Sequence, residues 1–411
     1  MRKVVLLTVS MLLYSISMVA ENIKFADPEV KRICIENWDT NGDGELSMEE
    51  AAAVTSIDGA FMGKEMITSF DELQFFTGLS DVGDYYKCHN LESLVIPDNV
   101  KSIGSYAFYE CWHMYSLEIG NGVKYIHEGA FHATGLSSIT FPNSLEYVGW
   151  DALTVTPWFT RHPDGKVYAG RKVLYCYKGT MPTNSRMDIE EGILGVTTNA
   201  FYGCSGMVSL SIPNSVTNIG YGITQGCNDL TIIFVKDYNE YYDSRNDCNA
   251  IIETASNTLI AGCKTTIIPY NITRLGSSAF GGISSLTSIT IPNSVSDIEY
   301  GVFQNCSGLA SVYSEIKEPF KIESSVFHGI AANAILYVPA GTKAKYEATE
   351  GWKNNFAKIL EMDDTAIGDF ATGSGTFNVY NLQGRKVRSN ATSLEGLPKG
   401  IYIVNGKKVI K

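Results

Sequence analysis

The sequence predicts a β-rich repeat solenoid, in which parallel strands are joined by short turns and helical pieces. Three observations support this fold class. A pattern of 23 residues recurs along the chain, its apolar positions alternate as in strands, and one copy is too short to bury its own apolar side. Stacked copies bury that side at about 4.8 Å per strand layer. A β-sandwich would show the alternation without the fixed period, so we predict one elongated array.

The copies share the frame L-x-x-L-x-I-P-x-x-V-x-x-I-G-x-x-A-F-x-x-C, which some of them fit with small changes in length or only in part. In the first clear copy, Leu94 and Ile96 fit a short strand, and Pro97 ends it because proline cannot donate to a ladder. Val100 and Ile103 return to the core, and Gly104 permits the turn that follows them. The best-preserved copies are Leu91–His113, Met207–Asp229 and Leu286–Gly308.

Composition excludes two classes of protein. The 411 residues are 45% hydrophobic and 18% charged, which excludes a largely disordered chain. The net charge of −12 argues against a nucleic-acid partner, because such proteins need a basic face.

The N-terminus has a basic start at Arg2 and Lys3, then an apolar run that ends near Ala20. This pattern predicts a secretory signal peptide, with a retained anchor as the alternative and no membrane span after the signal is removed.

Nine cysteines in a secreted chain would ordinarily indicate disulfides, with one cysteine left over. Their spacing favours another interpretation. Cys88, Cys111, Cys204 and Cys306 each lie three residues after the aromatic position of the repeat, and Cys227 lies at nearly the same place. We therefore predict a buried column of reduced thiols that pack as small apolar groups. Disulfides between neighbouring members are the alternative, although their geometry is demanding.

Two stretches interrupt the repeat. Residues 157–188 hold a turn signal, His162–Gly165, between strand-like segments, which predicts a β-hairpin insertion. Residues 234–257 are polar and rich in tyrosine, and we expect them to be irregular. Long loops on a rigid scaffold often carry function, whereas a tolerated insertion without function is the alternative. The candidate ligand-binding residues in these stretches are Trp158, Tyr168, Tyr238, Tyr241 and Tyr242.

A calcium-binding loop is predicted ahead of the repeats. Residues Asp39–Glu50 read DTNGDGELSMEE and match the EF-hand pattern D-x-[DN]-x-[DN]-G-x5-E, with a helix possible on each side. An unpaired extracellular loop of this kind binds Ca²⁺ with a dissociation constant of about 10⁻⁴–10⁻³ M. A metal-free turn is the alternative. The expected ligands are Asp39, Asn41, Asp43, the backbone carbonyl of Glu45, Ser47 through water, and bidentate Glu50.

The repeats resemble the BspA-type leucine-rich repeat proteins of Bacteroidetes-like bacterial surfaces. The resemblance covers roughly Thr77–Met362 and implies a leucine-rich-repeat solenoid with a tendency to surface adhesion or host-protein binding. The residues that carry it are Ile212–Val216, Ile291–Val295, Ile103–Gly104, Ala107–Phe108, Ala279–Phe280, Tyr337–Thr342 and Gly351–Trp352.

The last 35 residues form a separate basic unit. From Gly384 to Lys411 there are seven basic residues and one acidic residue, and Asn405 and Gly406 give a strong hairpin signal. Leu397–Tyr402 and the terminal Lys407–Lys411 resemble the C-terminal sorting domain of the type IX secretion system. The resemblance implies recognition of this tail by secretion machinery and attachment at the outer surface. A small β module that merely caps the protein is the alternative.

No catalytic motif stands out, since the chain lacks G-x-S-x-G, H-E-x-x-H, C-x-x-C and a phosphate-binding glycine loop. We therefore predict a non-enzymatic protein, secreted or on the outer cell surface, that binds a host extracellular protein or glycan. A surface spacer without a ligand is the alternative.

The predicted segments are a signal peptide (1–20), an EF-hand-like helix–loop–helix (21–66), the solenoid (67–362, with a cap at 67–78, an insertion at 157–188 and a closing segment at 332–362), a linker (363–376) and the β tail (377–411).

Overall fold

The computed structural model describes a helical segment, a parallel β-solenoid and a small antiparallel sheet. The predicted signal peptide (1–20) and linker (363–376) lie outside the described residues. The structure describes residues 21–362, 377–381, 386–391, 394, 397, 401–404 and 407–410.

Helices are short and few in the described part of the chain. Asp27 caps the first one, because its carboxylate accepts hydrogen bonds from the N–H groups of Glu29 and Val30. The α-helices are α1 (Pro28–Trp38), α2 (Met48–Ala53), α3 (Pro157–Arg161) and α4 (Lys343–Ala348), and 3₁₀ helices occur at Asp71–Phe75, Arg245–Asp247 and Lys353–Asn355.

One side of the solenoid is built from the L-x-x-L-x-I part of the repeat, as predicted. Leu94 pairs in parallel with Leu117 of the next turn, so the register follows the 23-residue period. These longer strands form three sheets. They are β1 (Ser69–Phe70), β3 (Ser93–Ile96) and β5 (Ser116–Ile119); β10 (Ser185–Asp188), β12 (Met207–Ile212) and β14 (Ile232–Val235); and β19 (Ser288–Ile291), β21 (Ser311–Ser314), β22 (Ile335–Pro339) and β23 (Lys358–Met362).

A second side is built from short strands at the V-x-x-I part of the repeat, joined by four longer strands at the two interruptions. Ile103 pairs with Ile126, and Ile126 with Val148, again in parallel. The strands of this side are β2 (Asp81–Val82), β4 (Ser102–Ile103), β6 (Tyr125–Ile126) and β7 (Tyr147–Val148); β8 (Gly165–Ala169), β9 (Val173–Lys178), β11 (Gly195–Val196) and β13 (Asn218–Ile219); and β15 (Tyr242–Asp243), β16 (Ala250–Glu253), β17 (Thr258–Gly262), β18 (Arg274–Leu275) and β20 (Asp297–Ile298).

The aromatic position of the repeat forms a continuous stack inside the array. Tyr85 lies between Phe61 and Phe108, with ring centroids 5.2 and 5.1 Å away. Phe131 continues the stack 5.4 Å beyond Phe108. All four rings are fully buried. Because Phe61 forms the first layer, the array begins before residue 67, where we placed the solenoid boundary.

The cysteine column has the predicted position and holds free thiols. The Cys111 Sγ donates to the Tyr85 carbonyl over 3.0 Å, and the Cys306 Sγ donates to the Phe280 carbonyl over 3.0 Å. Each thiol therefore links its turn to the carbonyl of an aromatic residue in the preceding turn. A thiol that donates in this way satisfies a buried polar group, which explains why the repeat favours cysteine over a larger hydrophobe.

Both interruptions of the repeat are β-hairpins. The predicted hairpin in residues 157–188 is formed by β8 and β9, and β9 pairs in parallel with β11. Residues 234–257, which we expected to be irregular, contain β15 and β16, and β16 forms a second hairpin with β17. Ile251 and Ile252 of β16 are fully buried. This second insertion is thus part of the core, because its apolar strand fills the interior where the repeat pattern is absent.

The array ends on a buried tryptophan in the predicted closing segment. The Trp352 Nε1 donates to the Phe320 carbonyl over 2.8 Å, and the Tyr346 hydroxyl bonds the Ile316 carbonyl over 2.8 Å.

The C-terminal tail forms an antiparallel sheet in the order β25–β24–β26–β27, and Val404 pairs with Lys407 as a two-residue hairpin requires. Its strands are β24 (Phe377–Asn381), β25 (Lys386–Ala391), β26 (Ile401–Val404) and β27 (Lys407–Ile410).

Candidate functional site

The predicted calcium loop is held in a closed turn by its own backbone. Asp39 accepts hydrogen bonds from the N–H groups of Gly42 and Gly44, at 2.7 and 2.9 Å. The Asn41 side-chain oxygen accepts from the Asp43 N–H at 2.8 Å. Gly44 has φ = +81°, which a residue with a side chain rarely adopts. These bonds turn the oxygen-bearing side chains of the loop toward its interior.

Glu50 closes the loop from the following helix. Its Oε1 accepts from the N–H of Thr40 at 2.9 Å, and its Oε2 accepts from the N–H and hydroxyl of Ser47 at 3.0 and 2.9 Å. The N–H of Ser47 is the main cause that lowers the pKa of Glu50 to about 2. Behind the loop, the carbonyl of buried Leu46 accepts from the Ile23 N–H at 2.8 Å, which ties the loop to the first described residues.

The predicted calcium ligands therefore share one loop, and all of them offer oxygen. Ser47 is buried and bonded to Glu50, and the Glu45 carboxylate forms an ion pair with Lys31 at 2.7 Å. Within residues 21–362 and the described tail strands, no three carboxylate, imidazole or thiol groups lie close enough together to hold one metal ion. The oxygen donors suit Ca²⁺ by type, but binding requires Glu50 to exchange its hydrogen bonds for the ion.

The candidate aromatic residues do not form one site. Trp158 is half-buried and packs edge-on against Phe141, and Tyr168 bonds Glu190. Tyr242 is buried, and its hydroxyl accepts from the Ile219 N–H at 3.0 Å, so its ring serves the core. The remaining two, Tyr238 and Tyr241, are 91% and 48% exposed.

A partly exposed set of rings on the first turns was missed in the sequence. Tyr109 stacks between Tyr86 and His132, with centroid distances of 5.3 and 4.9 Å. Beside them, His89 stacks on Trp112 at 4.2 Å, and Trp112 is 51% exposed. We call these five residues the aromatic row. Their 23-residue spacing is visible in the sequence and would have predicted the stacking.

The aromatic row continues into further exposed rings. Tyr106 contacts Tyr109 edge-on at 5.7 Å, and Tyr115 contacts His113 edge-on at 6.0 Å. Tyr106 and Tyr115 are both exposed. Trp and Tyr are the residue types that dominate binding energy in protein interfaces. This part of the surface therefore has a composition that is typical of interaction sites.

A groove on the short-strand side spans three sheets. Its volume is about 510 Å³, and residues from Tyr125 to Glu299 line it. The Tyr221 hydroxyl donates to the Glu128 carboxylate at 3.0 Å and links turns that are far apart in the sequence. Arg274, also in the lining, forms ion pairs with Asp297 at 3.1 Å and with Glu299. The lining thus sets one arginine against two glutamates, Glu253 and Glu299, and the groove keeps a net negative charge.

None of the helices in the described residues is long and apolar enough to cross a membrane. A search of curated proteins finds no match to the chain.

Solved structures of bacterial leucine-rich repeat proteins are similar to this chain. A leucine-rich repeat protein from Eubacterium ventriosum is 18% identical, with a TM-score of 0.36 over 67% of this chain and 74% of that one. A leucine rich cell surface protein from Faecalibacterium prausnitzii is 20% identical, with a TM-score of 0.31 over 73% and 71%. A leucine-rich repeat protein from Bacteroides ovatus is 16% identical, with a TM-score of 0.28 over 69% and 88%.

The repeat itself matches a known family. The model of the BspA type Leucine rich repeat region matches six copies, at residues 58–158, 174–257 and 256–344. The match covers more than half of the 411 residues and includes the second hairpin, whereas strand β8 of the first hairpin lies between two matched segments. The chain therefore belongs to the BspA-type leucine-rich repeat family.

Proposed function

We propose that this protein is a non-enzymatic binding protein of the bacterial surface, which attaches to a host extracellular protein or glycan through the aromatic row. The observation that carries the proposal is the stack of exposed Trp112 on half-buried His89, beside the stacked rings of Tyr86, Tyr109 and His132. Neighbouring turns hold these rings in place, so little side-chain entropy is lost when a partner covers them. Membership of the repeat family supports a scaffold role and leaves the ligand open.

The test is a screen of the chain without its first 20 residues on immobilised extracellular-matrix proteins and glycans. The expected result is saturable binding to at least one of them, weakened about tenfold or more by Trp112→Ala, because an interface tryptophan commonly contributes 2 kcal/mol or more. Tyr300→Ser is the matched control, since Tyr300 is exposed on a distant turn. Absence of saturable binding to the whole panel would support a spacer instead.

In the same proposal, the loop Asp39–Glu50 binds one Ca²⁺ in a structural role. Asp39, Asn41, Asp43 and the Glu45 carbonyl hold the ion, and Glu50 joins them by leaving its bonds to Ser47 and Thr40. The ion would fix α1 and α2 against the first turns, whose core they share.

Thermal unfolding tests the calcium site. Millimolar Ca²⁺ should raise the melting temperature of the wild type, and the Asp39→Ala/Glu50→Ala double variant should lose that increase. Glu49→Ala is the control, because Glu49 is exposed on the same helix and is not among the expected ligands. A wild-type melting temperature that is independent of Ca²⁺ would contradict the site.

The tail at 377–411 serves in this proposal as an address for secretion machinery. Its support is the resemblance of its sequence to a type IX sorting domain, together with a small sheet that has its own buried residues, Val379, Ala391, Tyr402 and Val404. Deletion of the tail should trap the protein inside the producing cell while the solenoid still folds. Unchanged surface display of the shortened chain would refute this role.

A further inference from the structure

A second exposed tryptophan stands over a pocket on the turns that flank the first hairpin. The cavity has a volume of about 360 Å³, at the lower end of the range of about 300–1,000 Å³ that is usual for small-molecule sites. Trp150 and Tyr202 line it and are 45% and 65% exposed. Unlike the rings of the aromatic row, neither is stacked on another described ring, so their faces are open. We call this cavity the Trp150 pocket.

The remainder of the lining is mostly polar, with a single charged side chain. Asp151 contributes the only carboxylate, and the His132 Nδ1 lies 2.9 Å from it. The lining holds no lysine or arginine, so it offers nothing to neutralise a phosphate or a carboxylate. Burial raises the pKa of the Cys176 thiol to about 12, which keeps that group neutral. An anionic ligand therefore has no counter-charge here.

Two polar groups of the lining lack hydrogen-bond partners in the described structure. They are the Thr198 hydroxyl and the Asn199 side-chain oxygen, both buried atoms. Burial raises the pKa of Tyr147, and the nearby Thr198 hydroxyl opposes part of that rise. The two hydroxyls are nevertheless not placed for a hydrogen bond of ordinary length and angle. Both atoms have almost no surface open to the pocket, so a ligand reaches them only when their side chains turn toward it, and the free-energy cost of a buried polar atom without a partner favours that turn.

We propose that the Trp150 pocket binds one neutral pyranose ring of a carbohydrate. A pyranose has an apolar C–H face, which suits the open face of Trp150 or Tyr202, and a rim of hydroxyls, which both donate and accept. The amides of Asn199 and Gln225 offer the matching donors and acceptors in the lining. This inference rests on the proposed binding role and goes beyond it, because it adds a carbohydrate site beside the aromatic row rather than on it.

The test is a titration of the chain without its first 20 residues with the methyl pyranosides of glucose, galactose, mannose and N-acetylglucosamine, followed by saturation-transfer NMR and tryptophan fluorescence. Free reducing sugars are run beside them, to separate a residue within a glycan chain from a free sugar. We expect saturable binding of at least one methyl pyranoside at millimolar concentration. Trp150→Ala should weaken it about tenfold or more, the usual effect of a lost aromatic contact.

Two further variants make the outcome decisive. Asn199→Gly removes the amide while glycine readily adopts the φ of +58° at this position, so the fold is kept and binding should also weaken. Tyr300→Ser, which changes an exposed ring on a distant turn, should bind the pyranosides as the wild type does. No response from the wild type, or unchanged binding by Trp150→Ala and Asn199→Gly, would overturn the proposal. The function proposed above survives that result if binding to the immobilised panel still depends on Trp112.

Discussion

Tyr85→Phe should stabilise the protein. The other described rings of the stack, Phe61, Phe108 and Phe131, are phenylalanines, and only Tyr85 adds a hydroxyl among them. That hydroxyl is fully buried and has no hydrogen-bond partner. Burial also raises the pKa of Tyr85 well above its usual range, so the group stays un-ionised. Removing an unpaired buried hydroxyl should recover about 1–3 kcal/mol of unfolding free energy.

Tyr175→Phe is the matched control, because the same change there should have the opposite sign. Tyr175 is also buried, but its hydroxyl accepts from the Leu153 N–H at 3.1 Å. Loss of that acceptor leaves a buried N–H unpaired and should cost about 1–3 kcal/mol.

Native-state hydrogen exchange suits this comparison, because stability in an array is largely local to neighbouring turns. The amides to follow are those of Tyr85 and Phe108, which donate to Ala107 and Ala130 at 2.8 Å. Tyr85→Phe should slow their exchange, and urea unfolding should shift to a higher midpoint. Destabilisation by both variants would refute the reasoning, since it would mean that the Tyr85 hydroxyl has a partner.

Three further predictions concern a turn, the thiols and a helix cap. Val155 has φ = +60°, where Gly203 and Gly226 stand in other repeats, so Val155→Gly should raise the unfolding free energy by about 1 kcal/mol in urea titration. Burial raises the pKa of Cys88 and Cys306 to about 12, so Ellman's reagent at pH 8 should find almost no reactive thiol in the native protein. It should find nine after unfolding without reductant, and a lower number would indicate disulfides. Burial raises the pKa of Asp27, but bonds from Thr68, Val30 and Glu29 outweigh it and lower the pKa overall. Stability from Asp27 is therefore full above its unfolded pKa of about 3.8 and falls as pH drops below that value, and Asp27→Asn should flatten this part of a pH–stability profile.

The period of the repeat predicts the array well because each position has one physical role. Leu94 and Leu117, one period apart, are paired neighbours in adjacent strands. The same period places the Cys88 thiol where it donates a hydrogen bond to the Phe61 carbonyl. Such positions depend only on the preceding and following turns, so a local pattern is enough to locate them.

Features that depend on the interruptions are harder to predict. The strand β16 carries no repeat pattern, and its polar, tyrosine-rich neighbours conceal two buried isoleucines, Ile251 and Ile252. Trp150 precedes the first hairpin in the sequence and Tyr202 follows it. They line one pocket because of the way the hairpin folds, which the sequence pattern does not predict. The aromatic row, in contrast, follows the period and could have been predicted from Tyr86, Tyr109 and His132 alone.

The most direct test of the central claim is adhesion of protein-coated beads to a monolayer of host epithelial cells. Three proteins are compared with bare beads: the wild type, Trp112→Ala, and Tyr300→Ser as the control for an exposed ring elsewhere on the array. Wild-type and Tyr300→Ser beads should adhere equally, and Trp112→Ala beads should fall close to the level of bare beads. Adhesion of all three proteins at the level of bare beads, or equal adhesion of all three above it, would contradict a binding role for the aromatic row.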